Sequence, residues 1–266
     1  MLLHNIGFPA DTFCPMLSQQ QLEEFQRDGF LILRQRVTPS VCAAMREVVT
    51  RQLQEAAEPL EYEAEVGYHG APASLNAPGG RTIRRLRGAW GRHACFRDWA
   101  TDADLIATLR QLLQQPVVLN LAHHNCVMTK LPQWSSATGW HRDIRYWSFA
   151  RADLITVWLA LGAENADNGA LQVLPGSHRW QLAPEQFDER DFLRTDLPQN
   201  QPLLAQGITL ALEAGDVLFF HSSLLHAAGK NRSGARKFSL VFAWRGADNP
   251  PLPGTRSAAA GEIDFP

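Results

Sequence analysis

The chain has 266 residues, 45% hydrophobic and 20% charged, with a formal net charge of −2 and a pI near 6.5. That length supports a sizeable core, and the near-neutral charge excludes a general polyanion binder, so no nucleic-acid partner is expected. Cys14, Cys42, Cys95 and Cys126 are widely spaced with no C-x-x-C pair and read as ordinary thiols of a reducing compartment. The opening MLLHNIGFPADTF lacks a basic-then-apolar leader pattern, and no apolar run approaches about 18–20 residues. No membrane association is therefore expected, and the cytoplasm is the expected compartment.

The first predicted helix runs from Ser18 to about Asp28: Ser18 and Gln21 form a capping box, Leu22 and Phe25 share a face, and Gly29 suits a left-handed stop. Phe30-Leu31-Ile32-Leu33 follows as a short buried strand. Thr38-Pro39 opens a second helix, with Val41, Ala44, Met45, Val48, Val49 and Leu53 at helical spacing. Residues 60–100 carry no assignable pattern, although 81–92 (RTIRRLRGAWGR) is strongly basic. A third helix is expected from Asp102 to Gln114, ending before Pro116.

Beyond Pro116 the texture changes. Val117–Met128, Leu154–Leu161, Ala170–Leu174, Val217–His221 and Phe238–Trp244 are short runs rich in β-branched and aromatic residues, separated by Gly, Pro, Asn or Asp. Helices first and strands later predict a mainly β fold with flanking helices, a jelly-roll, cupin-like double-stranded β-helix. One domain is expected over 1–266, with a helical portion at about 18–115 and a jelly-roll core at about 116–245. The stretch 178–210 has no strand pattern and is expected to act as a lid.

The chemistry centres on WHRDIRYW (140–147). In a strand, residues i and i+2 face one side, so His141 and Asp143 can present an imidazole and a carboxylate to one metal. Two histidines and a carboxylate on one octahedral face leave room for substrate and oxygen, which is how non-haem Fe(II) oxygenases bind their metal. The remaining ligand must come from elsewhere, and GDVLFFHSSLLHAAGKNRSGAR (215–236) supplies two candidates, His221 and His226, between which strand alternation does not decide. Arg236 follows, a residue type suited to a carboxylate. His123 and His124 are adjacent and should point to opposite faces of a strand.

The motif series resembles the phytanoyl-CoA dioxygenase family of Fe(II)/2-oxoglutarate oxygenases. It runs through LEEFQRDGFLIL (22–33), Lys130-Leu131-Pro132, HRDIRYWSF (141–149), DLITVWLAL (153–161), NGALQVLPGSH (168–178) and GDVLFFHSSLLHAAGKNRS plus Arg236. The resemblance implies His141, Asp143 and His226 as metal ligands and catalytic centre. It also implies Arg236 on the distal carboxylate of 2-oxoglutarate, Trp158 lining the co-substrate, and Cys126 as a further contact. Ala228 departs from the Ser that some members have two residues after the distal histidine. The presence of Asp143 favours hydroxylation over halogenation, with O2 consumed and succinate and CO2 released.

Arg145, Tyr146 and Trp147 directly follow the metal motif and are candidates for touching a small-molecule substrate. Arg85 and Arg87, in the basic stretch, are candidate anion clamps, with a solvated loop as the competing reading. Two other functions compete with the oxygenase: a non-catalytic metal-binding or sensory jelly roll, and a zinc hydrolase using the same ligands. Consumption of 2-oxoglutarate separates all three.

Overall fold

A computed structural model describes residues 16–265, so Cys14 and the opening segment lie outside the described residues. Helix α1 (Gln19–Asp28) begins at the Ser18–Gln21 capping box and stops at Gly29, whose φ of 78° favours glycine. Strand β1 (Phe30–Leu33) follows, then α2 (Pro39–Gln54), capped by the Thr38 hydroxyl. Residues 60–100, blank in the sequence reading, form β2 (Leu60–Tyr62), β3 (Ile83–Arg87), α3 (Ala89–Arg92) and α4 (Ala94–Ala100). Helix α5 (Ala103–Leu113) is capped by Asp102.

The later elements are β4 (Val117–Lys130), β5 (Thr138–His141), β6 (Leu154–Ala160), β7 (Leu171–Val173), α6 (Gln201–Leu204), β8 (Ile208–Thr209), β9 (Val217–His221), β10 (His226–Ala228), β11 (Lys237–Gly246), α7 (Arg256–Ala259) and β12 (Glu262–Phe265). They make the two antiparallel sheets of a double-stranded β-helix, open at its edges. The larger has the order β1-β9-β6-β11-β4-β3-β2, with β12 on β4; the smaller is β5-β10-β7-β8. The portion 18–115 is thus helical only in part, because β1, β2 and β3 extend the large sheet.

Alternation along the central strands sorts their side chains between two layers. Ile155, Val157 and Leu159 of β6, with Phe238, Leu240, Phe242 and Trp244 of β11, pack in one cluster with Met45, Val49, Leu105 and Leu109 of the helices. Trp158 and Ala160, with Val241, turn the other way and meet Leu171 and Val173 of the small sheet. The site lies on this inner side. Asn168-Gly169, which reads as a hairpin turn, instead closes a 3-10 turn capped by Asn165 that carries the chain from β6 in one sheet to β7 in the other.

The β4–β11 ladder jumps from Phe242↔Asn125 to Ala243↔Asn120, so 121–124 bulge out of β4. His123 takes φ 60° there, and its ring stands 4.9 Å from that of His124. The expectation that these two histidines face opposite ways fails because the bulge breaks the alternation. No helix of the described residues is long and apolar enough to cross a membrane.

Candidate metal centre

His141 ends β5 and His226 opens β10, directly opposite in the antiparallel register. Their rings lie 4.3 Å apart between centroids. Asp143 falls just beyond β5, in a 3-10 turn spanning Asp143–Tyr146, so a strand end, not continued strand alternation, brings it round. The three ligand atoms lie within 4.8 Å of one another, and all three residues are buried. Asp143 Oδ1 is 3.7 Å from His141 Nε2 and 3.4 Å from His226 Nε2.

The donor atoms are prepared for a cation. His141 Nδ1 donates to Gly139 O at 2.9 Å and His226 Nδ1 to Leu224 O at 3.0 Å, which fixes both tautomers with Nε2 toward Asp143. Asp143 Oδ1 is buried with no hydrogen-bond partner among the described residues. Such an atom is costly unless something positive occupies the space before it. Burial alone would raise the Asp143 carboxyl, but His124, His226 and His141 outweigh it and hold the group well below the usual carboxylate range. Burial pushes His141 well below the ordinary imidazole range, keeping its lone pair free.

The other carboxylate oxygen, Asp143 Oδ2, accepts from Thr156 Oγ1 at 3.0 Å and lies 3.3 Å from His124 Nδ1. Burial lowers His124 to about 4, so it acts as a neutral ring that can donate one proton. In the sequence His124 stands out only as the neighbour of His123, and Thr156 is given no role; Thr156, opposite Ala243 on an inward-facing position of β6, was recoverable by alternation. Thr156→Val should weaken metal retention ~10–100-fold, the range for outer partners of metal ligands. Competition against a chelator checks this, and unchanged affinity would remove Thr156 from the site.

A cavity lined by all three ligands is walled by Trp158, Phe220, Leu171, Met128 and Tyr68. Four cationic side chains line it: Arg84, Arg85, Lys130 and Lys237. Arg84 pairs with Glu63 at 3.2 Å, Arg85 with Glu61 at 3.3 Å, and Lys237 with Glu164 at 2.7 Å. Glu164 also accepts from Trp158 Nε1 at 3.0 Å and Ser239 Oγ at 2.6 Å, tying one wall together. Among the described residues Lys130 has only carbonyl partners, Ser136 O and Gly229 O. Burial, with Arg84 and Lys237 nearby, pushes Lys130 well below the ordinary lysine range.

The predicted site residues divide accordingly. Trp158 and Arg85 line the cavity with the three ligands. Arg236 does not: it is exposed just before β11, whereas Lys237 shares the inward alternation of Ser239 and Val241. Cys126 is buried in the apolar cluster under Trp158, and Met128, two residues on, takes the lining position. Trp147 packs in the core and donates from Nε1 to Ala122 O at 2.9 Å. Arg87 is exposed on Glu61, lining a neighbouring cleft with Arg85 and His123. Tyr146 stacks on His123 at 3.8 Å and meets the Tyr68 hydroxyl at 3.2 Å. Arg145 lies over the Phe192 ring. His221 stands apart from the triad beside His178, rings 5.3 Å apart. Within 178–210, Phe192 pairs with His141 as a β-bridge and packs on its ring at 5.6 Å.

A sequence model of the phytanoyl-CoA dioxygenase family, PhyH, matches residues 25–239. Among curated relatives, peroxisomal phytanoyl-CoA dioxygenase of Rattus norvegicus is 24% identical over 261 residues, 89% of this chain and 75% of its own length. Ectoine dioxygenase of Bordetella bronchiseptica is 25% identical over 265 residues, 92% of this chain and 82% of its own. Among solved structures, EctD from S. alaskensis with 2-oxoglutarate and 5-hydroxyectoine superposes with a TM-score of 0.74 at 19% identity, covering 89% of this chain and 78% of that one. The epimerase SnoN with Fe3+, alpha ketoglutarate and nogalamycin RO gives a TM-score of 0.71 at 21% identity, covering 89% and 90%.

Proposed function

The chain belongs to the phytanoyl-CoA dioxygenase family, and from that premise we propose that it is an Fe(II)/2-oxoglutarate-dependent dioxygenase hydroxylating a small organic molecule. The observation that carries the reading is the orphaned Asp143 Oδ1 facing two Nε2 atoms whose rings are locked from behind. Two imidazoles and one carboxylate suit Fe(II) and leave coordination positions open. When bound, iron with 2-oxoglutarate and O2 supplies the oxidising power, with succinate and CO2 as co-products. His141, Asp143 and His226 hold the metal, Thr156 and His124 orient the carboxylate, and the apolar wall around Trp158 and Phe220 keeps water out.

Charge counting supports a dianionic co-substrate. Three of the four lining cations face their own carboxylates, leaving Lys130 and Asp143 unmatched. A divalent metal at Asp143 gives the set two net positive charges, which a dicarboxylate cancels. We therefore assign the distal carboxylate to Lys237 and Lys130 in place of Arg236. A lysine ammonium has three donors: Lys237 uses one on Glu164, and Lys130 has one left after its two carbonyls.

This assignment sets a pH dependence. A neighbouring carboxylate raises the depressed Lys130 toward its ordinary value, so binding takes up a proton wherever free Lys130 is neutral. The Kd for 2-oxoglutarate should rise with pH between the depressed value and about 10.4, the reference for lysine. Lys130→Met should bind more weakly and lose that slope. A slope that persists in the variant would assign it to another group.

The functional test is anaerobic loading with Fe(II), followed by O2 and assay of succinate. Succinate requiring metal, O2 and 2-oxoglutarate together is the expected result. Metal binding without any succinate would leave a non-catalytic metal protein, and hydrolytic activity without 2-oxoglutarate would point to a zinc hydrolase. The described residues are proposed to work as one domain, since β1, β2 and β3 share the sheet of β6 and β11. The free, buried thiols of Cys42, Cys95 and Cys126 fit the proposed cytoplasmic location.

A further inference from the structure

We infer that Arg145 selects the organic substrate, and that this substrate carries an oxyanion, a carboxylate or a phosphate ester, beside an apolar body. The inference rests on the oxygenase reading above and adds the chemical class of the molecule being oxidised.

Arg145 sits in the turn Asp143–Tyr146, two residues beyond a metal ligand. Its Nη1 is buried and has no hydrogen-bond partner, and no carboxylate of the described residues pairs with it. Other arginines nearby have anionic or carbonyl partners: Arg84 pairs with Glu63, although its Nε is also left without a partner, Arg85 pairs with Glu61, and Arg190 donates to the carbonyls of Gly67 and Val66. What Arg145 has instead is aromatic. Its guanidinium lies 4.2 Å from the Phe192 centroid and 5.3 Å from that of Tyr146. Such contacts hold the face of the cation but offer its N–H donors no acceptor, so the cost of the unmet buried donor stands. The guanidinium is therefore held in place but left unfilled. Nη1 alone among its donors is both fully buried and unpaired, so the rest of the fork can still receive an oxyanion.

The aromatic wall links this cation to the metal centre. Phe192 packs on the His141 ring and, edge-on at 5.6 Å, on Tyr68; Tyr146 packs on His141 at 5.9 Å. A groove lined by Phe192, Arg190 and Trp140 adjoins the metal cavity, with Tyr68 and Thr138 lining both. An apolar body against Tyr68, Tyr146 and Phe192, with its anionic end on Arg145, would lie beside His141. The co-substrate's two charges are met by the metal and the lysines, so Arg145 keeps its own charge for a second anion.

The test uses iron-loaded, 2-oxoglutarate-bound protein, with Arg145→Met and Arg145→Lys beside the wild type. The probes are 3-phenylpropionate, its neutral amide and phenyl phosphate, read by thermal shift and by change in the visible charge-transfer band of the iron–2-oxoglutarate complex. The expected result is stabilisation and a band change with the anions only, affinity ~10–100-fold lower in Arg145→Met, and partial recovery in Arg145→Lys. The two anions tell carboxylate from phosphate ester. Equal responses to acid and amide, no anion response, or an anion preference surviving in Arg145→Met would each overturn the inference. A wild type lacking the charge-transfer band and succinate would instead overturn the oxygenase reading, and the thermal shift stays readable in that case.

Discussion

Replacing His226 with alanine is expected to give a folded protein that neither retains iron nor forms succinate. The imidazole supplies one of three ligand atoms within 4.8 Å of one another, and no other histidine of the described residues joins the group. Loss of a ligand should lower metal affinity more than ~100-fold, beyond the range for outer partners. The removed ring also packs on Phe220 at 5.0 Å, so some stability is lost as well, and metal content must be scored on the folded fraction. His221→Ala is the matched control. That ring accepts from Ser223 N at 3.0 Å and lies away from the triad, so iron content and succinate formation should hold. Near-normal turnover in His226→Ala, measured by metal analysis and succinate assay together, would break the ligand assignment.

The contrast between those histidines shows what kind of information the chain wears openly. Helix ends were legible because caps are local: Ser18, Gly29, Thr38 and Asp102 each act within three or four residues of themselves. The proposed metal ligands were legible as a group because H-x-D compresses two of them into three positions and the family motif selects the third. The hidden part is whatever depends on pairing between distant strands. Arg84 and Arg85 look like members of a basic surface stretch until β3 pairs with β4 and buries them against Glu63 and Glu61. Glu164 shows no sign in sequence of holding Trp158, Ser239 and Lys237 together. The bulge at 121–124 has no local signature either, and it moves both adjacent histidines to one side. Arg236 is a different case, exposed and outside the cavity lining. Counting outward from Val241 and Ser239 on the inner face of β11 reaches Lys237, not Arg236, so the information was present in the strand period.

That one-residue difference has a large expected effect. Arg236→Ala should leave the 2-oxoglutarate KM within about twofold, because an exposed arginine outside the cavity contributes little. Lys237→Met should raise it ~10–100-fold, the equivalent of losing one charge-assisted hydrogen bond of about 1.5–3 kcal/mol, with kcat retained at saturating co-substrate. The same change strands Glu164, a buried carboxylate, and should destabilise the fold by about 3–5 kcal/mol. The two effects separate in the double variant Lys237→Met with Glu164→Gln. Removing both charges should recover most of the stability while KM stays high, because neutralising Glu164 does not replace the missing ammonium. Lys237→Arg should keep KM nearest the wild type, since a guanidinium can face Glu164 and a carboxylate at once. If Arg236→Ala raised the 2-oxoglutarate requirement while the Lys237 variants left it unchanged, the arginine would be the anchor and the loop before β11 would have to turn inward on binding.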